Sequence, residues 1–575
     1  MTSQFDKYLS YQHNLWHWNI PTQLNICDLC ISQHATGEQG KRAAFIVEDN
    51  QLGTTLLTYQ TLDLKTCQFA NLLNALGIGV GDRVLIRLPN AVEYPIAFFG
   101  CLRYGAIAVP TSTLLTPVEV AYLAQDSGAR MLVTHQSMWP DLAPELSNSG
   151  QMSTVILTGQ STNTLTNDIA NCQNQNPNIQ NSKIKDDSVN KITHYHFDHL
   201  MNQQSSHHNC QPTAANDPAY LVYTSGTTGY PKGVLHAHRA LIGRLPASRY
   251  WFDFRGEERI LHSGKFNWTY VLGSALMDPL FHGQTVVVYE GPNDPANWPK
   301  LIQKHQCTIF IAVPTIYRQI IEKTAFNGQQ LPSLRHCMSA GEHLSDEMLA
   351  RWQARFSLTI YEAIGMSEFS YYISQNKNHP VIPGSAGFIQ PGHDIKLLNK
   401  NNQSVGIDEE GIIAIPLNDP GLFLNYWQLP EQTESCQHDG YFFTGDYAKQ
   451  DQAGYIWFLG RKDDIINTFG YRVSPLEIEQ VFKTHPAVAD CVAVAENITA
   501  DKTIVSLCVI LVNPMVCSAN QLLDFGEANL AKYKAPKKIY FFNHFPRTKN
   551  GKVLRSELKQ QMINYTPVNY TELPQ

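Results

Sequence analysis

The sequence predicts an α/β protein of layered sheets and helices, with a smaller α+β domain at its C-terminal end. Three observations carry that prediction. The chain has 575 residues, 43% of them hydrophobic and 16% charged, an ordinary globular composition spread over more length than one core fills. From about residue 55 to 135, apolar runs of strand length alternate with segments of helical periodicity, the pattern of strands and helices stacked in layers. Residues 464–575 read as a separate unit of two helices and two strands.

The elements follow in order. Thr61–Leu76 reads as an amphipathic helix, Arg83–Pro89 (RVLIRLP) as a strand, Val92–Tyr104 as a helix and Ile107–Pro110 as a short strand. Thr116–Ala129 is helical and Arg130–His135 a strand. The glycines of Gly77–Gly81 (GIGVG) lie between a helix and the next strand. A dinucleotide fingerprint needs strand, glycines, then helix, so this segment is a turn. Residues from about 160 to 211 are rich in Asn and Gln and lose apolar periodicity, which reads as a flexible surface insertion. Alternation then resumes to about residue 459, with Thr308–Pro314 a clear strand. The C-terminal unit holds a helix at Pro475–Lys483, strands at Val488–Val494 and Thr503–Leu511, and a helix at Ser518–Lys532.

Net charge is −7, so no broad basic surface points to nucleic acid as a partner. The opening MTSQFDKYLSYQHNLWHW has no continuous apolar core of the kind a secretory signal needs, and the apolar Pro95–Leu102 stretch is far too short for a membrane span. Twelve cysteines are scattered along the chain and read as reduced, partly buried thiols rather than a disulfide framework. A cytoplasmic enzyme without an integral membrane segment is the expectation.

The strongest chemical signal is AYLVYTSGTTGYPKGV, Ala219–Val234. A strand at Ala219–Tyr223 feeds a loop in which Gly226, Gly229 and Gly233 let the backbone approach an anion. The hydroxyls of Thr224, Ser225, Thr227 and Thr228, with successive backbone N–H groups, offer donors to phosphate oxygens, and Lys232 adds a point charge. The GK[ST] ending of a Walker A loop is absent.

YTSGTTGYPKG resembles the signature of the adenylate-forming superfamily, which includes acyl-CoA synthetases, peptide-synthetase adenylation domains and luciferases, and further motifs of that family follow in order. Ser339–Glu342 (SAGE) resembles the segment that lies along adenine, which implies contacts from Gly341 and Glu342. Gly365–Glu368 (GMSE) resembles G-x-[ST]-E, which implies that Ser367 touches phosphate and Glu368 holds Mg²⁺, a hard cation that takes oxygen ligands. Many members carry Tyr before this glycine; here the residue is Ile364. Tyr441–Asp446 (YFFTGD) resembles the motif whose aspartate accepts from the ribose hydroxyls, and Arg461 resembles a second ribose contact. In GRKDDIINTFGYRVSPLEIE, Asp463 matches the hinge, Gly470 the lining of the coenzyme A tunnel, and Arg472 a phosphate contact. In PRTKNGKVLR, Lys552 matches the lysine that enters the site for adenylation.

The resemblance implies a large N-terminal adenylation domain of several subdomains over residues 1–459, a hinge at 460–463 and a small mobile C-terminal domain over 464–575. It implies ATP, Mg²⁺ and coenzyme A as cofactors, and a small-molecule carboxylic acid converted to acyl-AMP with release of pyrophosphate, then to acyl-CoA and AMP. Lys552, Glu368 and Lys232 are the catalytic candidates. Phe266, Trp268, Tyr270, Ile364 and Gly365 are the acid-pocket candidates; the three aromatics suit an aromatic, cyclic or medium-chain acid, and they suit core packing equally. Within the family, the FNWTY stretch looks nearest to benzoate-CoA ligases and medium-chain acyl-CoA synthetases.

A second reading is a stand-alone adenylating enzyme that loads the phosphopantetheine of a separate carrier protein. A third is a non-catalytic binding protein on the same scaffold, which the joint presence of Lys232, Glu368, Asp446 and Lys552 opposes. A fourth rests on His194–His199 (HYHFDH), which resembles the metal-binding motif of metallo-β-lactamase-type hydrolases. Such ligands need a rigid strand end and further distant partners. A low-complexity loop supplies neither, so the expectation here is an adventitious polar loop.

Overall fold

In a computed structural model of the chain, residues 4–146, 151–159, 183–186, 192–224, 231–341, 344–461, 466–468, 471–499, 502–513, 517–530, 534–547 and 553–563 are described. They fall into two compact units, Met1–Asp394 with Pro416–Gln437, and Ile395–Ile415 with His438–Gln575.

The first unit is built on two nine-stranded sheets. One runs in the order Asn425–Tyr426, Lys232–Ala237, Pro218–Thr224, Ile107–Pro110, Arg83–Arg87, Met131–His135, Thr154–Thr158, Thr193–His196, Lys183–Asp186. Its centre is parallel and its two ends antiparallel. The other sheet centres on the parallel strands Ala43–Asp49, Thr285–Glu290, Arg259–His262, Ile309–Ile311, His336–Ala340 and Ile360–Met366. Parallel strands covered on both faces read as continuous apolar runs; Val84–Arg87 and Thr285–Tyr289 are buried residue after residue.

The helices start and stop where local chemistry dictates. Tyr59–Ala75 is capped by Thr58, whose side chain accepts from the Thr61 N–H. Pro117–Ser127 opens with a Thr116/Glu119 capping box and a proline in its first turn, and ends at Gly128 with φ +61°. Gly77 and Gly81, both at positive φ, form the turn between Tyr59–Ala75 and Arg83–Arg87.

One expectation fails. The Asn/Gln-rich stretch does not extend as a surface insertion to residue 211. Thr193–His196 is a strand, parallel to Thr154–Thr158, and is followed by the helix Phe197–Met201. Tyr195, Phe197, Leu200 and Met201 are buried. The polar composition concealed a short core-facing run. His194 is buried beside the Trp139 ring, so part of HYHFDH serves the sheet. Among the described residues, no group of three His, Cys, Asp or Glu side chains is placed to hold a metal, and no helix is long and apolar enough to cross a membrane.

Besides the antiparallel pair Ile466–Thr468 and Tyr471–Val473, the second unit contains two larger sheets among the described residues. In one, Tyr441–Gln450 pairs antiparallel with Ile456–Arg461 and shares the sheet with Gly411–Pro416 and Lys396–Leu398. In the other, Val488–Thr499, Lys502–Leu511 and Lys538–Phe541 form three strands whose core includes Ile478 and Phe482 of the helix Pro475–Lys483 and Leu522 of Ala519–Asn529. By its contacts, the sheet carrying Asp446 belongs to this second unit, whereas the motif order places it before the 460–463 hinge.

Candidate active site

The glycine-rich loop closes a hairpin. Pro218–Thr224 runs antiparallel to Lys232–Ala237, and Thr224 stands directly opposite Lys232. The two residues face each other at the hairpin mouth, while Ser225, Gly226, Thr227, Thr228 and Gly229 lie outside the described residues. Gly233 is packed tightly: a Cβ there would lie 2.9 Å from both Leu221 and Trp427 side chains.

The free edge of this hairpin is covered by a segment almost two hundred residues later. Asn425–Tyr426 pairs antiparallel with Lys232–Ala237, with Tyr426 opposite Val234. The pairing is extended by backbone bonds from Leu424 N to Leu235 O at 2.7 Å and from Trp427 N to Gly233 O at 2.8 Å. It brings the Tyr426 ring beneath Lys232, whose Nζ lies 3.8 Å from the ring centroid, a cation–π contact.

Glu368 completes the group. It lies in the turn between Ile360–Met366 and Ser370–Ser374, which closes with a Phe369 N to Met366 O bond of 3.2 Å and with Ser370 at φ +61°. Gly365 is required at the mouth of this turn, because a Cβ there would lie 2.4 Å from the Ser370 carbonyl oxygen. Glu368 as a whole residue is 6% exposed. Its Oε1 accepts a 2.7 Å hydrogen bond from the Tyr426 hydroxyl and lies 3.9 Å from Lys232 Nζ. Among the described residues, Oε2 has no hydrogen-bond partner. A buried carboxylate with one oxygen fixed and the other open fits a hard divalent cation.

His236 ties the turn to the hairpin. Its ring stacks on Tyr220 with centroids 4.8 Å apart, and Nε2 lies 2.8 Å from the Ser367 carbonyl. Burial lowers its pKa to about 3, so the ring is neutral and Nε2–H donates to that carbonyl. Tyr426 and His236 were both missed by sequence reasoning. Each stands in a strand pairing or stack that no local motif announces.

The acid-pocket candidates divide. Phe266 is 1% exposed, stacked on Tyr94 at 5.0 Å and met edge-on by Phe45 at 5.7 Å, so it is a core aromatic. Trp268 is half-buried and lies against the end of the strand His336–Ala340: a Cβ on Gly341, which has φ +92°, would sit 3.3 Å from the indole. Tyr270 meets Trp268 edge-on at 5.4 Å. Thr269 Oγ1 lies 3.5 Å from Ser367 Oγ, which joins this aromatic segment to the Glu368 turn. Ile364 is half-buried and paired with Ile373. Gly341, Trp268, Ile364, Gly365, Ser367, Glu368, Lys232 and Thr224 all belong to the first unit.

In the second unit, Asp446 is 7% exposed, and its backbone stands directly opposite Arg461 across the antiparallel pair. The two ribose candidates are thus cross-strand neighbours. Arg472 lies in the strand Tyr471–Val473. The side chains of Arg461 and Arg472, and the whole of Glu342, Asp463, Gly470 and Lys552, lie outside the described residues.

Comparison with known proteins supplies the family. The model of the AMP-binding enzyme family matches residues 32–427, and that of the AMP-binding enzyme C-terminal domain matches residues 477–552. A 3-hydroxybenzoate/4-hydroxybenzoate CoA ligase of Thauera aromatica is 30% identical, over 94% of this chain and 97% of its own. The mitochondrial acyl-coenzyme A synthetase ACSM3 of Homo sapiens is 28% identical, over 88% of this chain and 83% of its own. Among solved structures, an anthranilate CoA ligase in complex with anthranoyl-AMP superposes with a TM-score of 0.79 at 26% identity, covering 95% of this chain and 98% of that one. A benzoate CoA ligase from Burkholderia xenovorans superposes at 0.77 and 25% identity, covering 93% and 99%. The chain belongs to the AMP-binding enzyme family.

Proposed function

We propose that this enzyme activates an aromatic carboxylic acid with ATP and passes the acyl group to coenzyme A. The single observation that carries the reading is the Lys232–Tyr426–Glu368 group beside the glycine-rich hairpin, a cation and an oriented carboxylate where a triphosphate and its metal are needed. In the first half-reaction an acid oxygen attacks the α-phosphorus of ATP. The new O–P bond forms as the bond to pyrophosphate breaks. Two anions must meet, so catalysis is mainly positioning and charge neutralisation. Thr224, Lys232 and the loop 225–229 hold phosphate oxygens, Ser367 adds a hydroxyl, and Lys552 brings a second cation. Mg²⁺ held by Glu368 neutralises phosphate charge when bound. Asp446 and Arg461 hold the ribose, Gly341 and Glu342 flank the adenine, and Arg472 reaches phosphate.

In the second half-reaction the thiol of coenzyme A attacks the acyl carbonyl, the C–S bond forms and AMP leaves. Gly470 borders the thiol's path. Lys552 and Gly470 serve different half-reactions, so residues 460–463, with Asp463, form the hinge between residues 1–459 and a mobile domain of residues 464–575. The acid is aromatic because Trp268 and Tyr270 form an aromatic corner beside Gly341, and because relatives are named for hydroxybenzoate and anthranilate. The site of action is the cytoplasm, and the acceptor is free coenzyme A rather than a carrier protein. A competition assay with benzoate, hydroxybenzoates, anthranilate, cyclohexanecarboxylate and straight-chain acids, read by thioester mass, tests this. Preference for straight-chain acids overturns the aromatic reading, and transfer only to a carrier overturns the acceptor.

A further inference from the structure

The segment that delivers Tyr426 to Glu368 has little support from the sheet itself. Residues 419–427 run as a strap beside the hairpin, and their ladder with Lys232–Ala237 consists of two residue pairs, Tyr426 with Val234 and Asn425 with Leu235. A slip of one residue turns every side chain of a strand to the opposite face, and so short a ladder specifies its register weakly. The far end of the strap is held by the Trp427 N to Gly233 O bond of 2.8 Å. The near end is held by a side chain, Arg239.

Arg239 is half-buried and stands just past the end of the strand Lys232–Ala237. Its Nη1 donates to three backbone carbonyls, Asp419 O at 3.1 Å, Pro420 O at 2.6 Å and Leu422 O at 2.9 Å. Its Nε donates to Asn216 Oδ1 at 2.7 Å, and its backbone N donates to Ala215 O at 2.8 Å. Carbonyl oxygens that converge on one point repel one another, and a guanidinium at that point offsets the repulsion with charge-assisted bonds. Asn216 fixes the plane of the guanidinium. The hairpin strand that carries Lys232 thus leads directly into the anchor of the strap.

The anchored turn also packs on the Glu368 turn. It closes with a Leu422 N to Asp419 O bond of 3.2 Å, and Asp419 Oδ1 accepts from Gly421 N at 2.8 Å. Asp419 Oδ2 lies 2.7 Å from His393 Nδ1, and the His393 ring meets Phe369 edge-on at 5.1 Å. Gly421 has no room for a side chain, because a Cβ there would lie 2.9 Å from the Phe369 ring. Phe423 N donates to Glu368 O at 2.9 Å. Four residues after Leu422, the Tyr426 hydroxyl reaches Glu368 Oε1. The strap therefore holds the backbone of Glu368, the ring of its neighbour and its carboxylate.

We propose that Arg239 is a positioning residue of the ligase reaction: by fixing the register of residues 419–427 it aims the Glu368 carboxylate at the metal. The inference rests on the reading of Glu368 as the metal-holding carboxylate. Arg239 acts through Tyr426 and Phe423, whose bonds to Glu368 depend on where the strap lies.

The test compares wild type, Arg239→Met, Tyr426→Phe, the double variant and Glu368→Gln, each checked for folding by its melting curve. Two quantities are read. One is the dissociation constant of Mn²⁺ from the complex with α,β-methylene-ATP, followed without turnover by the electron paramagnetic resonance of free Mn²⁺. The other is the free Mg²⁺ concentration for half-maximal pyrophosphate release. Arg239→Met keeps the aliphatic stem and removes every donor. It should raise both by roughly 10-fold, the scale of losing an outer partner of a metal ligand, with KM for the acid close to wild type. In the double variant the rise should be clearly smaller than the product of the two single effects, because both act on one carboxylate. Asn216→Ala, at an exposed position, loosens the guanidinium without removing it and should shift both quantities the same way by less; it decides the matter if Arg239→Met does not fold. Wild-type Mn²⁺ affinity in folded Arg239→Met, or in Asn216→Ala in its place, while Glu368→Gln weakens it, overturns the role of Arg239 and leaves the metal reading standing. Single effects that multiply in the double variant also overturn it. Unchanged Mn²⁺ affinity in Glu368→Gln overturns the metal reading and this inference together.

Discussion

The Tyr426 hydroxyl donates a 2.7 Å hydrogen bond to Oε1 of Glu368, and the ring of the same tyrosine lies 3.8 Å beneath Lys232 Nζ. One side chain thus orients the carboxylate and supports the cation. Tyr426→Phe removes the hydrogen bond and keeps the ring. Loss of such an orienting partner costs roughly 10–100-fold in metal affinity or activity. Tyr426→Phe should therefore raise the Mg²⁺ concentration for half-maximal pyrophosphate release by about that factor, with little change in melting temperature. An unchanged Mg²⁺ requirement would show that the hydroxyl does not orient Glu368 for metal.

Lys552→Ala separates the half-reactions. It should abolish acyl-AMP formation from acid and ATP while leaving thioester formation from a supplied acyl-adenylate close to wild type. Removal of one charged transition-state contact costs on the order of 10²–10³ in rate. Equal loss in both assays would sink the assignment of Lys552 to adenylation alone.

Phe266 and Trp268 stand two residues apart and should behave oppositely. Phe266→Ala opens a cavity between Tyr94 and Phe45 and should cost about 3–5 kcal/mol of stability without changing the order of preferred acids. Trp268→Ala, at a half-buried position against Gly341, should leave stability nearly intact and reorder the acid panel. Denaturant midpoints and the ratio of kcat/KM for hydroxybenzoate over a straight-chain acid check both.

His262 provides a pH test. The ring is 1% exposed and burial lowers its pKa to about 3, while Nδ1 accepts from the Gly264 N–H at 2.9 Å. The unfolded chain binds a proton near pH 6.5 that the folded ring does not take up until about pH 3. The contribution of the neutral ring is therefore present above pH 6.5 and is lost as pH falls from there toward 3. His262→Gln removes that titration. Relative to wild type, its stability should improve by up to about 1.4 kcal/mol per pH unit between pH 6 and 4. Parallel stability curves for the two proteins would contradict a neutral buried His262.

The parts of the fold written in local pattern were legible. The runs at Arg83–Arg87 and Ile107–Pro110, and the Thr116/Glu119 capping box that starts Pro117–Ser127, announce themselves within a few residues. Thr193–His196 did not, because four residues amid Asn and Gln give too short an alternation to outweigh composition. In the candidate site, Lys232 and Glu368 stood in motifs. Tyr426 and His236 stood in none, because Tyr426 is placed by a strand pairing across almost two hundred residues and His236 by stacking on the neighbouring strand. Register between distant strands follows from the whole sheet and not from either segment alone.

The most direct test of the central claim is pyrophosphate release by the purified protein with ATP, Mg²⁺ and an aromatic acid, measured with and without coenzyme A, with AMP and thioester counted in parallel. The account predicts multiple-turnover release that depends on coenzyme A, with pyrophosphate, AMP and acyl-CoA formed in equal amounts. Release that stops after one turnover whether or not coenzyme A is present, with acyl-AMP retained and no thioester formed, would contradict it.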